Sequence, residues 1–75
     1  MELEKFVNLF AEQYDDTPAD QFTPTTSFKS LEEWSSLTAL SIIAMVDEEM
    51  EVRITGADIR NCETIEELYK LAKSK

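Results

Sequence analysis

Residues 36–51 form a predicted helix with apolar side chains on two opposite faces, and this constrains the fold more than any other feature. At about 100° per residue, five apolar residues fall within about 100° of arc, and we predict that they pack in a core: Ala39, Ile42, Ile43, Val46 and Met50. The opposite side, here called the outer face, combines apolar with polar and acidic residues: Leu37, Leu40, Ser41, Ala44, Met45, Asp47 and Glu48. Two interpretations are open: the outer face docks a partner, or its leucines pack under a loop.

The rest of the chain predicts three more helices and no strand. Residues 2–14 have the i, i+3, i+4, i+7 spacing of an amphipathic helix, which Asp15-Asp16-Thr17-Pro18 should end. Residues 55–61 suggest a short helix, and Thr64-Ile65-Glu66-Glu67 is a capping box that opens a last helix over about 65–73. The prediction is an all-α fold: a small four-helix bundle with three main helices and one short helix.

A long connection, residues 15–35, precedes the second predicted helix. Pro18 and Pro24 exclude regular structure through most of it. Ser30-Leu31-Glu32-Glu33 has the pattern that caps a single helical turn. We expect three apolar residues to hold the connection against the core: Phe22, Phe28 and Leu31. Loops of this length in small domains are often functional.

Length and cysteine content favour one small intracellular domain. The 75 residues suffice for a single domain, residues 1–75. The only cysteine, Cys62, cannot form an intramolecular disulfide, which fits a reducing compartment. No apolar run approaches the roughly 20 residues of a membrane span, and the N-terminus has no signal-peptide pattern. We therefore expect a soluble cytoplasmic protein that does not bind membranes.

The charge balance restricts the partners. Sixteen Asp and Glu against seven Lys and Arg give a net charge of -9, which argues against nucleic acid because binding there needs cationic neutralisation of phosphates. The charge favours basic protein partners and a monomer; simple solubility explains it equally well. The absence of histidine excludes the usual catalytic triads and zinc sites. We predict no catalytic residue and no metal site.

Ser36 lies where the loop becomes the second predicted helix. One interpretation is ordinary capping, in which its hydroxyl accepts from free backbone N–H groups of the first turn. The same place also suits a phosphoester, because those N–H groups and the positive end of the helix dipole favour phosphate. Ser35 can serve as the cap instead, leaving Ser36 free to be modified.

The segment that begins Ser36-Leu37, continues with apolar residues at 40, 42, 43 and 46 and ends in an acidic run resembles the modified-serine segment of acyl carrier proteins. The resemblance covers nearly the whole chain. It includes the first helix, Thr23–Phe28, Asp47-Glu48-Glu49, Val52–Ile54 and Thr64-Ile65 in order and spacing. No single piece is specific, but the ordered set, with the length and the acidity, is fairly specific.

The resemblance implies that a separate phosphopantetheinyl transferase, with magnesium, attaches a 4′-phosphopantetheine arm from coenzyme A to Ser36. The thiol of the arm would carry acyl groups as thioesters between acyl-processing enzymes, in fatty-acid synthesis or a specialised, polyketide-type pathway. The chain itself would then be no enzyme. The resemblance also implies that enzymes with basic docking patches meet six residues: Leu37, Leu40, Ser41, Ala44, Asp47 and Glu48.

Three residues depart from the family pattern. Ser35 stands where the family usually has Asp, so two adjacent hydroxyls are candidates. Ser36 is preferred because Leu37 follows it and the apolar register counts from it. Ser41 replaces a frequent acid, and Trp34 replaces a small residue and should pack the loop. The substitution at Ser35 supports an alternative function, an unmodified acyl-carrier-like helical adaptor that binds basic proteins.

Overall fold

The computed structural model describes residues 2–75. It contains four α-helices: α1 (Leu3–Ala11), α2 (Ser36–Met50), α3 (Gly56–Arg60) and α4 (Ile65–Lys73). Two short 3-10 turns, Ala19–Gln21 and Phe28–Ser30, lie between α1 and α2. The described residues form no strand, and one isolated bridge joins Ser27 to Thr64. The predicted all-α bundle with one short helix is confirmed.

The last two helices begin at complete capping boxes. Thr64 accepts from the Glu67 amide, and the Glu67 carboxylate accepts from the Thr64 amide. Thr55 and Asp58 repeat this arrangement at α3. Each box satisfies backbone donors at the helix start with residues that lie within four positions of each other in the sequence. Helix α4 has the predicted bounds, and α3 is one residue shorter at each end than predicted.

The first helix ends earlier than predicted, at Ala11 rather than at residue 14. The Gln13 and Tyr14 amides donate to Phe10 O and Ala11 O at 3.1 Å, so the chain tightens into i→i+3 turns. Tyr14 nevertheless stays 7% exposed, because its ring packs on Phe10 and Phe22. The apolar stripe, which predicts the helix, therefore continues through Tyr14, beyond the end of the helix at Ala11.

The long connection packs as predicted, but its helical turn lies elsewhere. Phe22 and Phe28 are buried, and Leu31 is half-buried against the core. The turn expected over residues 30–33 is wrong: it falls at Phe28–Ser30, where the Ser30 hydroxyl donates to Ser27 O at 2.8 Å. Phe28, the first residue of this turn, is fully buried in the core.

An aromatic cluster joins α1 to the long connection and, through Phe6 and Tyr69 with ring centroids 5.3 Å apart, to α4. Phe10 lies at its centre, with ring centroids 5.4 Å from Phe28, 6.3 Å from Phe22 and 6.3 Å from Phe6. Tilted pairs at such distances contribute about 0.5–1.5 kcal/mol each beyond their burial. The cluster fixes the connection that leads into α2.

Candidate functional site

At the start of α2, one serine caps the helix and the next serine is exposed. Ser35 is the N-cap residue, and its hydroxyl accepts from the Thr38 amide at 3.3 Å. Ser36 is the first residue of the helix and is exposed. Within residues 2–75, no group hydrogen-bonds its hydroxyl. Of the two interpretations, capping by Ser35 is therefore the one that the structure shows, and Ser36 is not the cap.

The segment before Ser36 is held to the body of the domain. The Thr38 hydroxyl donates to Glu33 O at 2.9 Å, and the Trp34 amide donates to Leu31 O at 3.0 Å. The Trp34 ring meets Phe28 edge-on, with 5.1 Å between ring centroids. The predicted role of Trp34 in packing the loop is confirmed. Ser36 is therefore exposed directly after a segment that hydrogen bonds and ring packing hold against the domain.

The outer face of α2 is largely open to solvent. Leu37 is 77% exposed and Leu40 is 61% exposed. The interpretation in which these leucines pack under the connection is therefore wrong. Six exposed residues of this face, together called the docking surface below, lie along the helix: Leu37, Leu40, Ser41, Ala44, Asp47 and Glu48. Large apolar side chains at such exposure, bordered by acids, are typical of interaction sites.

Met45 does not belong to this surface, contrary to the prediction. It is 5% exposed and packs in the core with Ile42 and Val46. Met45 follows Ile42 by three residues, which places it about 60° away on the helical wheel. The buried arc is centred on Ile42, and three predicted core residues lie half-buried along its border: Ala39, Ile43 and Met50.

The end of α2 carries charges that oppose the helix dipole. Asp47, Glu48 and Glu49 lie in its last turn, which contains no basic residue. Glu51 then leaves the helix with φ 56°, in the left-handed region. Carboxylates near the negative end of a helix and a left-handed glutamate both disfavour folding. The charges at this end of α2 therefore reduce the stability of the helix.

Cys62 lies in the core between α3 and α4. Burial raises the pKa of its thiol, and the carboxylates of Glu67 and Asp58 raise it further. The thiol is therefore protonated at neutral pH and unsuited to nucleophilic attack. Over the part of the chain that the structure describes, no group of three or more His, Cys, Asp or Glu is arranged to hold a metal.

Glu33 makes contacts that the sequence pattern did not reveal. Its carboxylate accepts from the amides of Asp15 and Asp16 and from the Thr17 hydroxyl. These donors, Thr17 first, hold the pKa of the Glu33 carboxyl below its usual range. In the sequence, the Glu32-Glu33 pair indicates only a capped helical turn, because the donors to Glu33 lie at residues 15–17.

Two surface cavities lie away from the outer face of α2. One, of about 310 Å³, is lined by Glu32, Glu33 and residues of the 16–21 segment. The other, of about 370 Å³, lies between α1 and the connection and includes Val7 and Phe22. Neither of these two cavities reaches Cys62. Among residues 2–75, none of the helices is long and apolar enough to cross a membrane.

Comparison with protein families relates most of the chain to a known family. A family model described as phosphopantetheine attachment site matches residues 4–72. This range includes nearly all of the four helices and the whole connection between α1 and α2. No curated protein and no solved structure is significantly similar to the chain.

Proposed function

The chain belongs to the phosphopantetheine attachment family, and we propose from this premise that it is an acyl carrier protein modified on Ser36. Domains of this family carry a covalently attached 4′-phosphopantetheine, so the cofactor expected from the resemblance agrees with the family match. The observation that carries the assignment to Ser36 is local. Ser35 occupies the capping position, while the neighbouring Ser36 hydroxyl is exposed at the first position of α2.

The helix start suits the modified serine electrostatically. Modification forms a bond between Ser36 Oγ and a phosphorus of coenzyme A, with loss of the hydroxyl proton and release of the nucleotide half of coenzyme A. The product is a phosphodiester anion at the positive end of α2. The first turn of α2 contains no acidic residue that would repel it. The arm supplies the thiol that forms thioesters.

The docking surface accounts for how partners reach the arm. Leu37 and Leu40 project beside Ser36, and Asp47 and Glu48 lie further along the same helix. An apolar centre bordered by acids complements an enzyme surface with an apolar pocket and a basic rim. We propose that the phosphopantetheinyl transferase and acyl-processing enzymes bind here, and that they supply the chemistry.

The cargo follows from the same proposal. The thioester would carry an acyl group in fatty-acid synthesis or in a specialised, polyketide-type pathway. Ser35, Ser41 and Trp34, the three departures from the usual family pattern, favour a specialised pathway with dedicated enzymes. We also propose that the carrier is a monomer in the cytoplasm. The net charge of -9 opposes self-association, and a single cysteine fits a reducing compartment.

Intact-mass measurement tests the assignment. The wild type is incubated with coenzyme A, magnesium and a broad-specificity phosphopantetheinyl transferase, beside Ser36→Ala and Ser35→Asp. The second variant removes the neighbouring hydroxyl and keeps a good N-cap. We expect one added arm on the wild type and on Ser35→Asp, and none on Ser36→Ala. An arm on Ser36→Ala would contradict the assignment. A folded but unmodified wild type, beside an active control carrier, would favour the adaptor function.

A further inference from the structure

Glu33 joins the exit of α1 to the long connection through its carboxylate. One oxygen accepts from the Asp16 amide at 2.9 Å and from the Thr17 hydroxyl, and the other accepts from the Asp15 amide at 3.3 Å. The donors lie 16 to 18 residues earlier in the chain. A single side chain thus fastens the two ends of the connection to each other.

The same residue also contacts the first turn of α2, through its backbone. The carbonyl oxygen of Glu33 accepts from the Thr38 hydroxyl at 2.9 Å, in a partly buried position. Thr38 is two residues beyond Ser36, and its amide donates to the Ser35 cap. Glu33 therefore lies in a continuous series of hydrogen bonds that leads from residues 15–17 to the turn that contains Ser36.

We propose that Glu33 is a positioning residue for the modification of Ser36. It fixes the segment that leads into α2, so that the Ser36 hydroxyl is presented in one orientation to the transferase. The inference rests on the proposed function of Ser36. The Glu33 carboxylate itself lies outside the docking surface.

The positioning role predicts a particular kinetic signature. Without the carboxylate, Trp34 still packs on Phe28, so the domain stays folded while the segment before Ser36 samples several arrangements. Only a fraction of the molecules is then competent to bind, and the apparent binding constant rises in proportion. Once bound, the reacting groups are the same as in the wild type. The KM for the carrier should rise while kcat stays constant.

The kinetic experiment uses the full chain as the transferase substrate, at a temperature where circular dichroism shows each variant folded. Glu33→Ala removes the acceptor, and Glu33→Gln keeps one carbonyl oxygen. Glu32→Ala is the matched control, because Glu32 is an exposed neighbour that makes no hydrogen bond within residues 2–75. We expect the KM of Glu33→Ala to rise about threefold or more, while its kcat stays within about twofold of the wild-type value. The KM of Glu33→Gln should rise less, and Glu32→Ala should have wild-type KM and kcat.

Three kinetic results would overturn the proposal. These are a KM of Glu33→Ala within about twofold of the wild type, an equal rise for Glu32→Ala, and a loss confined to kcat. If Glu33→Ala is unfolded at the assay temperature, Glu33→Gln decides by the direction of its KM change. A wild type that is not modified on Ser36 would refute the proposed function instead, and the next measurement then decides the role of Glu33.

Hydrogen exchange of the unmodified chain gives that independent reading. The Ala39 amide donates to Ser35 O at 2.9 Å and reports on the first turn of α2. We expect its exchange to accelerate about threefold or more in Glu33→Ala and to be unchanged in Glu32→Ala, while amides of the last turn of α2 keep wild-type rates. Unchanged exchange at Ala39, or equal acceleration along the whole of α2, would refute the positioning role.

Discussion

Helices α2 and α4 are built from opposite patterns of charge and exposure. α4 begins with a capping box and two acids in its first turn, and ends with Lys70 and Lys73 in its last turn. Its four buried residues lie on one side: Ile65, Leu68, Tyr69 and Ala72. Every one of these features stabilises the helix or its packing.

α2 has few of these advantages. Its first turn has no acid, its last turn has acids and no base, and it ends in a left-handed glutamate. Leu37 and Leu40 are exposed although they are large and apolar. All of these features of α4 favour folding, whereas α2 combines a buried side with an exposed side that adds nothing to the stability of the domain. The exposed side of α2 is consistent with the docking role proposed above. That surface lies beside the serine proposed to carry the arm.

The largest effect should come from a matched pair of leucine substitutions. Leu68 in α4 is fully buried, so Leu68→Ala should lower the free energy of unfolding by about 2–5 kcal/mol. Leu40→Ala in α2 should change it by less than about 0.5 kcal/mol, because Leu40 is 61% exposed. Urea unfolding of both variants checks this. Equal destabilisation would show that Leu40 is a core residue in solution.

The end of α2 offers a stabilising substitution. Glu51→Gly should raise the free energy of unfolding by about 1 kcal/mol, because glycine adopts the φ of 56° without the steric cost that a side chain has there. Thermal unfolding at several denaturant concentrations measures the change. Asn61→Gly is the control at a helix end with ordinary right-handed geometry and should destabilise. A lower free energy of unfolding for Glu51→Gly would refute the claim that the left-handed glutamate destabilises this end of α2.

Two glutamate-to-glutamine substitutions should have opposite signs. Glu48→Gln removes a charge from the unfavourable end of α2 and should stabilise by about 0.3–1 kcal/mol. Glu66→Gln removes a charge from the favourable end of α4, where the carboxylate also pairs with Lys70 at 4.0 Å, and should destabilise by a similar amount. Both effects should shrink in 1 M salt. Effects of the same sign would break the comparison.

The smallest effect should appear in acid. The Glu33 carboxyl has a lowered pKa in the folded state, chiefly because it accepts from Thr17. Its ionised form therefore adds stability above the ordinary glutamate pKa of about 4.3, and that stability is lost as the pH falls through the lower folded value. Unfolding curves should show a steeper acid loss for the wild type than for Glu33→Gln. Glu32→Gln should follow the wild type, and identical profiles for all three proteins would contradict the assignment.

The comparison also explains what the sequence could predict. The predicted range of α4, about 65–73, agrees with Ile65–Lys73 because its start signal and apolar stripe are local. The early end of α1 and the burial of Met45 depend on contacts with other elements, which periodicity does not contain. The role of Glu33 needed donors 16 to 18 residues away. The exposure of Ser36 followed from the capping position of Ser35, a local pattern again.

The central claim is that α2 presents Ser36 for modification, and fragmentation mass spectrometry tests it most directly. The wild type is treated with coenzyme A, magnesium and the transferase, and the site of the added arm is read from backbone fragments that separate Ser35 from Ser36. We expect a single arm on Ser36. An arm on Ser35, the residue that caps the helix, would contradict it.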